Sequence, residues 1–272
     1  MKQRIKLLSV VYLLYLVLNI MSGALSGIFS DIVFALSFIL PIVLVLAYIG
    51  RDGEISPKEY LKINSDGMRV TVAFSAPSLL VISLLSYVTA LILEWAVGDF
   101  PTPTAPDTFF AALITSVLFP ALIEEIMFRL VPMCALKGFS IKGTVILSAL
   151  FFAFAHASVY QIPYALLAGV VYMLVDIMTG SILPSVILHF VNNLTSLVFI
   201  LFKDVFWVKC AVNVSFGLLF VLSLAFFIRY KKKICENFKG VLSDGEKGEY
   251  TAAPLFFIIP AAILALEELF VK

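Results

Sequence analysis

The chain has 272 residues, of which 62% are hydrophobic and only 14% are charged, and its mean hydropathy is +1.07. Soluble chains are about 45–50% apolar and about a quarter charged, so this composition cannot cover a water-soluble globule of this size. The net charge is +1, and the basic residues are scattered over several segments, which argues against a nucleic-acid-binding surface. The composition therefore indicates an integral membrane protein.

Charge-poor runs of about 20 residues predict membrane-spanning helices, because the hydrocarbon core of a bilayer is about 30 Å thick. Eight such runs predict spans, at 7–29, 32–50, 70–97, 109–136, 142–160, 164–180, 182–202 and 206–228. A ninth run, 252–270, contains two prolines and two adjacent glutamates, so its spanning is left open. The predicted fold is all-α, a polytopic transmembrane helix bundle in which residues 1–272 form a single membrane domain.

The positions of lysine and arginine predict the orientation of the bundle. Fifteen of the 19 basic residues fall on one side when the N-terminus, loop 51–69, the connection between spans four and five (Lys137 and Lys142) and segment 229–250 are placed together. The positive-inside rule then predicts a cytoplasmic N-terminus. Trp95 and Trp207 fall at span ends on the opposite side, where interfacial aromatic anchors are expected. We expect the cell membrane of a bacterium as the location.

Three charged residues in the fourth predicted span are the strongest functional candidates. Glu124, Glu125 and Arg129 are flanked by apolar residues for more than a turn on either side, and an ionisable group at such a depth costs about 2.5–3.5 kcal/mol. Glu125 and Arg129 are four residues apart and share a helix face, which predicts an ion pair. Glu124 points about 100° away and has no partner on its own helix. Asp31, Glu94 and Asp176 lie near predicted span ends, where interfacial solvation is the simpler expectation; the lining of a cytoplasmic cavity is the alternative for Asp176.

The two histidines of the chain lie in the fifth and the seventh predicted spans. His156 follows Phe152 by one turn, and His189 precedes Asn193 by one turn. An acid and a histidine that share one water can act as general base and then general acid, while a second histidine and an amide donate to an oxyanion. No GxSxG, HExxH, GxGD or YD pattern supports another protease chemistry. The set is therefore typical of peptide-bond hydrolysis without a covalent intermediate.

Three ordered motifs resemble a known family. They are Glu124 to Arg129 (EExxxR), Phe152 to His156 (FxxxH) and His189 to Asn193 (HxxxN). Together they resemble the type II CAAX prenyl endopeptidase and bacteriocin-processing family, called CPBP or Abi. The stretch from Gly169 to Ser181 is similar to the link that precedes the last histidine helix of that family. The resemblance covers roughly residues 105–200, which would be the catalytic core.

The resemblance implies an intramembrane glutamic endopeptidase, a peptidase that hydrolyses peptide bonds near the membrane. In it, Glu124 and His156 would activate the water, and His189 with Asn193 would stabilise the oxyanion. The implied supporting residues are Glu125, Arg129 and Phe152. The implied partners are the lipid bilayer and a peptide or protein substrate, such as a prenylated C-terminus or a bacteriocin-type or pheromone-type precursor. The resemblance gives no oligomeric state.

Two kinds of alternative remain open at this point. A metal-free mechanism is favoured, but a zinc-dependent one would use Glu124, His156 and His189 as ligands with water in the fourth position. A non-catalytic immunity or scaffold protein would use the same polar residues for packing. A transporter is disfavoured because the chain has no internal repeat.

Helix rise places Glu124 about 18–20 Å, His189 about 10 Å and His156 about 21 Å from the cytoplasmic ends of their predicted spans. Residues of one site should lie at one depth, and these predicted depths differ.

Overall fold

The computed structural model describes residues 1–51, 56–97, 108–202, 204–243, 251–267 and 269. Within these ranges the secondary structure consists of nine long or medium helices and one short 3-10 turn, Pro57–Leu61, without strands. In chain order the helices are α1 Lys2–Ala24, α2 Gly27–Gly50, α3 Ser65–Val97, α4 Phe109–Ala135, α5 Ile141–Ala155, α6 Ile162–Thr179, α7 Leu183–Leu201, α8 Phe206–Ser243 and α9 Leu255–Glu267. The predicted polytopic helix bundle is confirmed.

Seven of the nine helices are long and apolar enough to cross a membrane. The exceptions are α5, with 15 residues, and α9, with 13 residues, which rise only about 22 Å and 20 Å. The prediction of a span over 142–160 is wrong at its C-terminal end, because α5 ends at Ala155 and the backbone of Ala157 has a φ of 45°. That left-handed conformation interrupts the helix, so His156 lies at a helix end and not within a span.

The helices pack in neighbouring pairs. Helices α1 and α2 contact each other along their length, α3 packs on α8, and α5 packs on α6. The α5 and α6 backbones approach closely at Gly169, where an added Cβ would lie 2.8 Å from the Cα of Ala149. Helix α9 covers the outside of α1 and α5, and its Phe257 ring packs against Tyr12 and Phe151. Trp95 and Trp207 are 88% and 78% exposed and lie near the end of α3 and the start of α8.

Helix α4 is the central element for the site. Its N-terminal half packs on α7, and its C-terminal half is enclosed by α1, α2 and α5. All side chains from Met127 to Leu136 are buried. On the side where α1 begins, the backbone N–H of Ile182 donates to the carbonyl of Tyr60 at 2.9 Å, which ties the 3-10 turn to the α6–α7 connection. Gly180, with a φ of 68°, ends α6 in the left-handed conformation that favours glycine.

Candidate active site

Two π-helical turns interrupt α4, and each is followed by a proline. The turns are Leu113–Leu118 and Ile126–Leu130, and the prolines are Pro120 and Pro132. Proline has no backbone N–H, so the carbonyls four and five residues before it lose the donors that an α or a π register would supply. In a membrane these carbonyls need partners from the protein, because lipid tails cannot hydrogen-bond. The prolines therefore create binding positions for side chains from other helices.

Before Pro132, the freed carbonyls belong to Met127 and Phe128. The Tyr12 hydroxyl of α1 donates to the Met127 carbonyl at 2.8 Å. The Ser148 hydroxyl of α5 and the Nη1 of Arg129 both donate to the Phe128 carbonyl, the latter at 3.0 Å. Side chains from α1, α4 and α5 thus bind the carbonyls of the turn Ile126–Leu130. This turn includes the predicted site residue Arg129.

Before Pro120, the freed carbonyl of Ser116 accepts a hydrogen bond from the Nδ2 of Asn193 at 3.2 Å. Asn192 donates in turn to the Oδ1 of Asn193 at 3.3 Å. Asn193 was predicted as an oxyanion donor. In the structure its amide nitrogen donates one N–H to the Ser116 carbonyl of α4. An amide nitrogen carries two hydrogens, so one donor remains for a ligand.

A buried ion pair lies at the centre of the site. The Oε2 of Glu125 lies 3.1 Å from the Nε of Arg129, and both side chains are fully buried. This is the pair that the four-residue spacing predicts. The guanidinium also lies over two aromatic rings, with its Cζ 4.5 Å from the ring centre of Phe152 and 5.8 Å from that of Tyr172. The charge of Arg129 is therefore balanced by a carboxylate and by two ring faces.

The second oxygen of Glu125 binds His189, a contact that the sequence analysis did not predict. The Oε1 of Glu125 lies 2.7 Å from the Nδ1 of His189, and His189 is only 5% exposed. A carboxylate only accepts hydrogen bonds, so we assign the ring proton to Nδ1. The Nε2 atom is then the ring atom that can meet a substrate. Glu125 thus links Arg129 on its own helix to the histidine of α7.

His156 and Glu124 are both half-buried. The Nδ1 of His156 lies 2.9 Å from the carbonyl oxygen of Phe152, which can only accept. In the neutral ring Nε2 therefore carries the lone pair. Among the described residues Glu124 forms no hydrogen bond or ion pair with His156, with His189 or with any other group. The structure thus shows no direct bond between Glu124 and either histidine.

The ring of Phe152 joins the three motifs. It is stacked under Arg129 of the first motif, and its centre lies 4.9 Å from the His156 ring and 5.9 Å from the His189 ring. Phe152 is 3% exposed, so these contacts lie within the protein core. One side chain from each of the three motifs, Arg129, His156 and His189, therefore contacts one aromatic ring.

Asp176 on α6 differs from its predicted interfacial environment, because it is fully buried. Its Oδ1 accepts a hydrogen bond of 3.0 Å from the backbone N–H of Ser185, in the first turn of α7. Ser185 precedes His189 by one turn, so Asp176 fixes the start of the helix that carries this histidine. Sequence reasoning missed this role, together with those of Tyr12, Ser148 and Tyr172. Pro132 was the available signal for the two hydroxyl donors.

The proposed zinc ligands do not form a metal site in the described part of the chain. No group of three His, Cys, Asp or Glu side chains there is arranged to hold a metal ion, and this includes Glu124, His156 and His189. The Nδ1 atoms of the two histidines are engaged by Phe152 and Glu125, which leaves the Nε2 atom of each ring for another partner. We derive no step through a metal.

An apolar cleft opens between α4 and α7, next to the charged cluster. Its volume is about 170 Å³. It is lined by Leu118, Ala121, Leu122, Val186, Ile187 and Phe190. On α4 these residues lie within two turns of Glu125, and on α7 they lie within one turn of His189. An apolar group could therefore approach the site from between these two helices.

Comparison with known proteins gives one finding. Residues 106–195 match the family described as Type II CAAX prenyl endopeptidase Rce1-like. The match covers about a third of the chain, from just before α4 into α7, and includes all three motifs. It confirms the resemblance stated from the motifs and indicates an endopeptidase of the CAAX-protease type. Neither the curated proteins nor the solved structures gave a significant match.

Proposed function

We propose that the chain is an intramembrane endopeptidase in which Glu124 and His156 activate a water molecule without a metal. The observation that carries this proposal is the arrangement around Phe152, where Arg129, His156 and His189 meet on one ring. A packing role accounts for the buried Glu125–Arg129 pair. It does not account for Glu124, a half-buried acid at membrane depth without a counter-ion in the described part of the chain.

The hydrogen bond of His156 leaves one of its ring nitrogens for the water. The His156 ring donates through Nδ1 to the Phe152 carbonyl, so its Nε2 lone pair can accept a hydrogen bond from water. Glu124 takes one proton from the water as the water oxygen forms its bond to the substrate carbonyl carbon. When the carbon–nitrogen bond breaks, Glu124 gives this proton to the leaving amine. The products are a carboxylic acid and an amine, and Glu124 returns to its starting state.

His189 and Asn193 would stabilise the negative oxygen that forms during the attack. Glu125 binds the Nδ1 of His189 at 2.7 Å, which favours a protonated ring with an N–H at Nε2. The amide nitrogen of Asn193 keeps its second hydrogen beside the bond to Ser116. Two donors on one face of α7 would then bind the oxyanion, a contribution worth about 3–4 kcal/mol for each donor in known oxyanion holes.

The substrate class follows from the family match and the apolar cleft. The matched family is described as a prenyl endopeptidase, and the cleft between α4 and α7 has a wholly apolar lining. We propose a peptide that carries a prenylated cysteine near its C-terminus, with the apolar chain held in the membrane and the peptide bond presented to Glu124. The alternative substrate is a hydrophobic precursor peptide without a prenyl group.

The test uses the full chain in proteoliposomes and a fluorogenic peptide with a farnesylated cysteine followed by three residues. The same peptide without the farnesyl group is the substrate control. We expect the protein to cleave the farnesylated peptide and the Glu124→Gln variant to be inactive, because glutamine has the same shape but is not a base. Glu94→Gln is the matched variant, since Glu94 is an exposed acid near the end of α3, and it should remain active.

Near-normal cleavage by Glu124→Gln would remove Glu124 from the mechanism. Equal cleavage of both peptides would replace the prenylated substrate by a precursor peptide. A chelator should leave the rate unchanged. If the chelator abolished cleavage and zinc restored it, the metal-free mechanism would be wrong.

A further inference from the structure

We infer that Tyr12 of α1 is a positioning residue for Glu125 and His189, because its hydroxyl holds the second π-helical turn of α4 in register. The inference rests on the proposed function for its kinetic consequence, but its structural part can be measured without any substrate. Tyr12 lies outside residues 106–195, so the family match assigns no role to it. It is fully buried, and its hydroxyl donates to the Met127 carbonyl at 2.8 Å.

The argument begins with two alternative registers of the same backbone. In the π register that the structure shows, the N–H of Val131 donates to the carbonyl of Ile126, five residues back. The Met127 carbonyl would then need the N–H of residue 132, which is a proline and has none. In an α register Val131 would instead donate to Met127, and Met127 would need no other partner. A side-chain donor to the Met127 carbonyl therefore stabilises the π register and not the α register.

The Tyr12 side chain is held in place for this hydrogen bond. Its ring stacks on Phe128 with ring centres 5.3 Å apart and contacts Phe151 at 4.4 Å. These contacts fix the ring, so the hydroxyl is directed at one carbonyl at little cost in side-chain entropy. A phenylalanine would fill the same space, because the rest of the side chain is identical. The hydroxyl is therefore required for register, whereas the ring alone would suffice for packing.

The register decides where the site residues point. A π turn holds one residue more than an α turn, so the residues before and after it are rotated relative to each other. Glu125 lies directly before the turn Ile126–Leu130, and Arg129 lies within it. A change to the α register would rotate Glu125 relative to Arg129 and would disturb the 2.7 Å contact between Glu125 and His189. Ser148 supports the same turn through the Phe128 carbonyl.

The chain allows a direct measurement of this peptide group. Methionine is followed by phenylalanine only once, at Met127–Phe128. Protein labelled with ¹³C-carbonyl methionine and ¹⁵N-phenylalanine gives a single carbonyl–nitrogen correlation signal in NMR, and it belongs to this bond. The chain has two histidines, so ¹⁵N-histidine labelling gives a second simple spectrum that reports on the His189 ring. The His189→Gln variant assigns its signals.

We expect Tyr12→Phe to shift both the Met127–Phe128 signal and the His189 Nδ1 signal. The matched control is Tyr87→Phe, which removes the same oxygen atom from an exposed tyrosine of α3 and should shift neither. Ser148→Ala is the second variant and should shift the same two signals. If Tyr12→Phe leaves the peptide signal unchanged, the hydroxyl does not set the register. If the peptide signal moves and the His189 signal does not, the register does not position the site.

Kinetics supply the functional part of the test, with the farnesylated peptide as substrate. We expect kcat to fall by about tenfold or more in Tyr12→Phe, because small misplacements of reacting groups are costly. KM should stay within about twofold, since the cleft is not touched. Equal kcat values for Tyr12→Phe and Tyr87→Phe would overturn the inference. If the unmodified protein cleaves neither peptide, the proposed function fails, and the two NMR signals alone decide whether Tyr12 positions Glu125 against His189.

Discussion

Replacing Arg129 by alanine should destabilise the protein far more than replacing Glu124. Arg129 is fully buried and meets Glu125 at 3.1 Å, the Phe128 carbonyl at 3.0 Å and the Phe152 ring at 4.5 Å. Its removal leaves the buried carboxylate of Glu125 with His189 as its remaining partner, and the breaking of a buried pair costs about 3–5 kcal/mol. Glu124 is half-buried and has no hydrogen bond or ion pair within the ranges that the structure describes.

The assay is thermal unfolding of the purified variants in one detergent. At roughly 2–4 °C per kcal/mol for chains of about this size, Arg129→Ala should lower Tm by about 6–20 °C. Glu124→Ala should lower it by no more than a few degrees. The double variant Glu125→Gln with Arg129→Met removes both charges and should be more stable than Arg129→Ala, because no buried charge is left alone.

Equal Tm values for Arg129→Ala and Glu124→Ala would show that the buried pair does not stabilise the fold in the way that its geometry indicates. A double variant as unstable as Arg129→Ala would instead attribute the loss to packing over Phe152 and to the hydrogen bond to Phe128. The two comparisons thus distinguish the electrostatic contribution of the ion pair from the packing contribution of the Arg129 side chain.

Two further substitutions test the packing that holds the site helices. Gly169→Ala should lower stability by about 1–3 kcal/mol, because the new Cβ would lie 2.8 Å from the Cα of Ala149, whereas Gly217→Ala meets no atom within 4 Å and should not lower Tm. Phe257→Ala should cost about 3–5 kcal/mol because its ring is fully buried, and Phe256→Ala, at an adjacent position that is 71% exposed, should cost little. Equal Tm values within either pair would contradict the corresponding contact.

The sequence predicted those features that depend on one helix at a time. Apolar runs located the spanning helices, and a spacing of four residues was enough to predict the pair between Glu125 and Arg129. Both follow from the rise and the turn of a single helix, which the sequence determines directly. The three motifs also place the candidate site on α4, α5 and α7, and the family match covers that region.

Contacts between helices were harder to predict. The bond between Glu125 and His189 depends on the rotation of α4, and two π-helical turns change that rotation from the regular value. The burial of Asp176 depends on how α6 and α7 meet, which charge and hydropathy do not reveal. The length of α5 was overestimated because its apolar residues continue after the helix ends at Ala155.

The shortness of α5 has a consequence for hydration. A rise of about 22 Å leaves the turn at 156–161 about 8 Å short of the far side of a typical hydrocarbon core. Irregular backbone at that depth is tolerated only against protein or in a hydrated cavity. Hydrolysis consumes one water per bond, and the bilayer interior holds almost none. In the proposed mechanism, the early end of α5 would therefore do more than place the His156 imidazole, because its polar end would give water a way into the membrane.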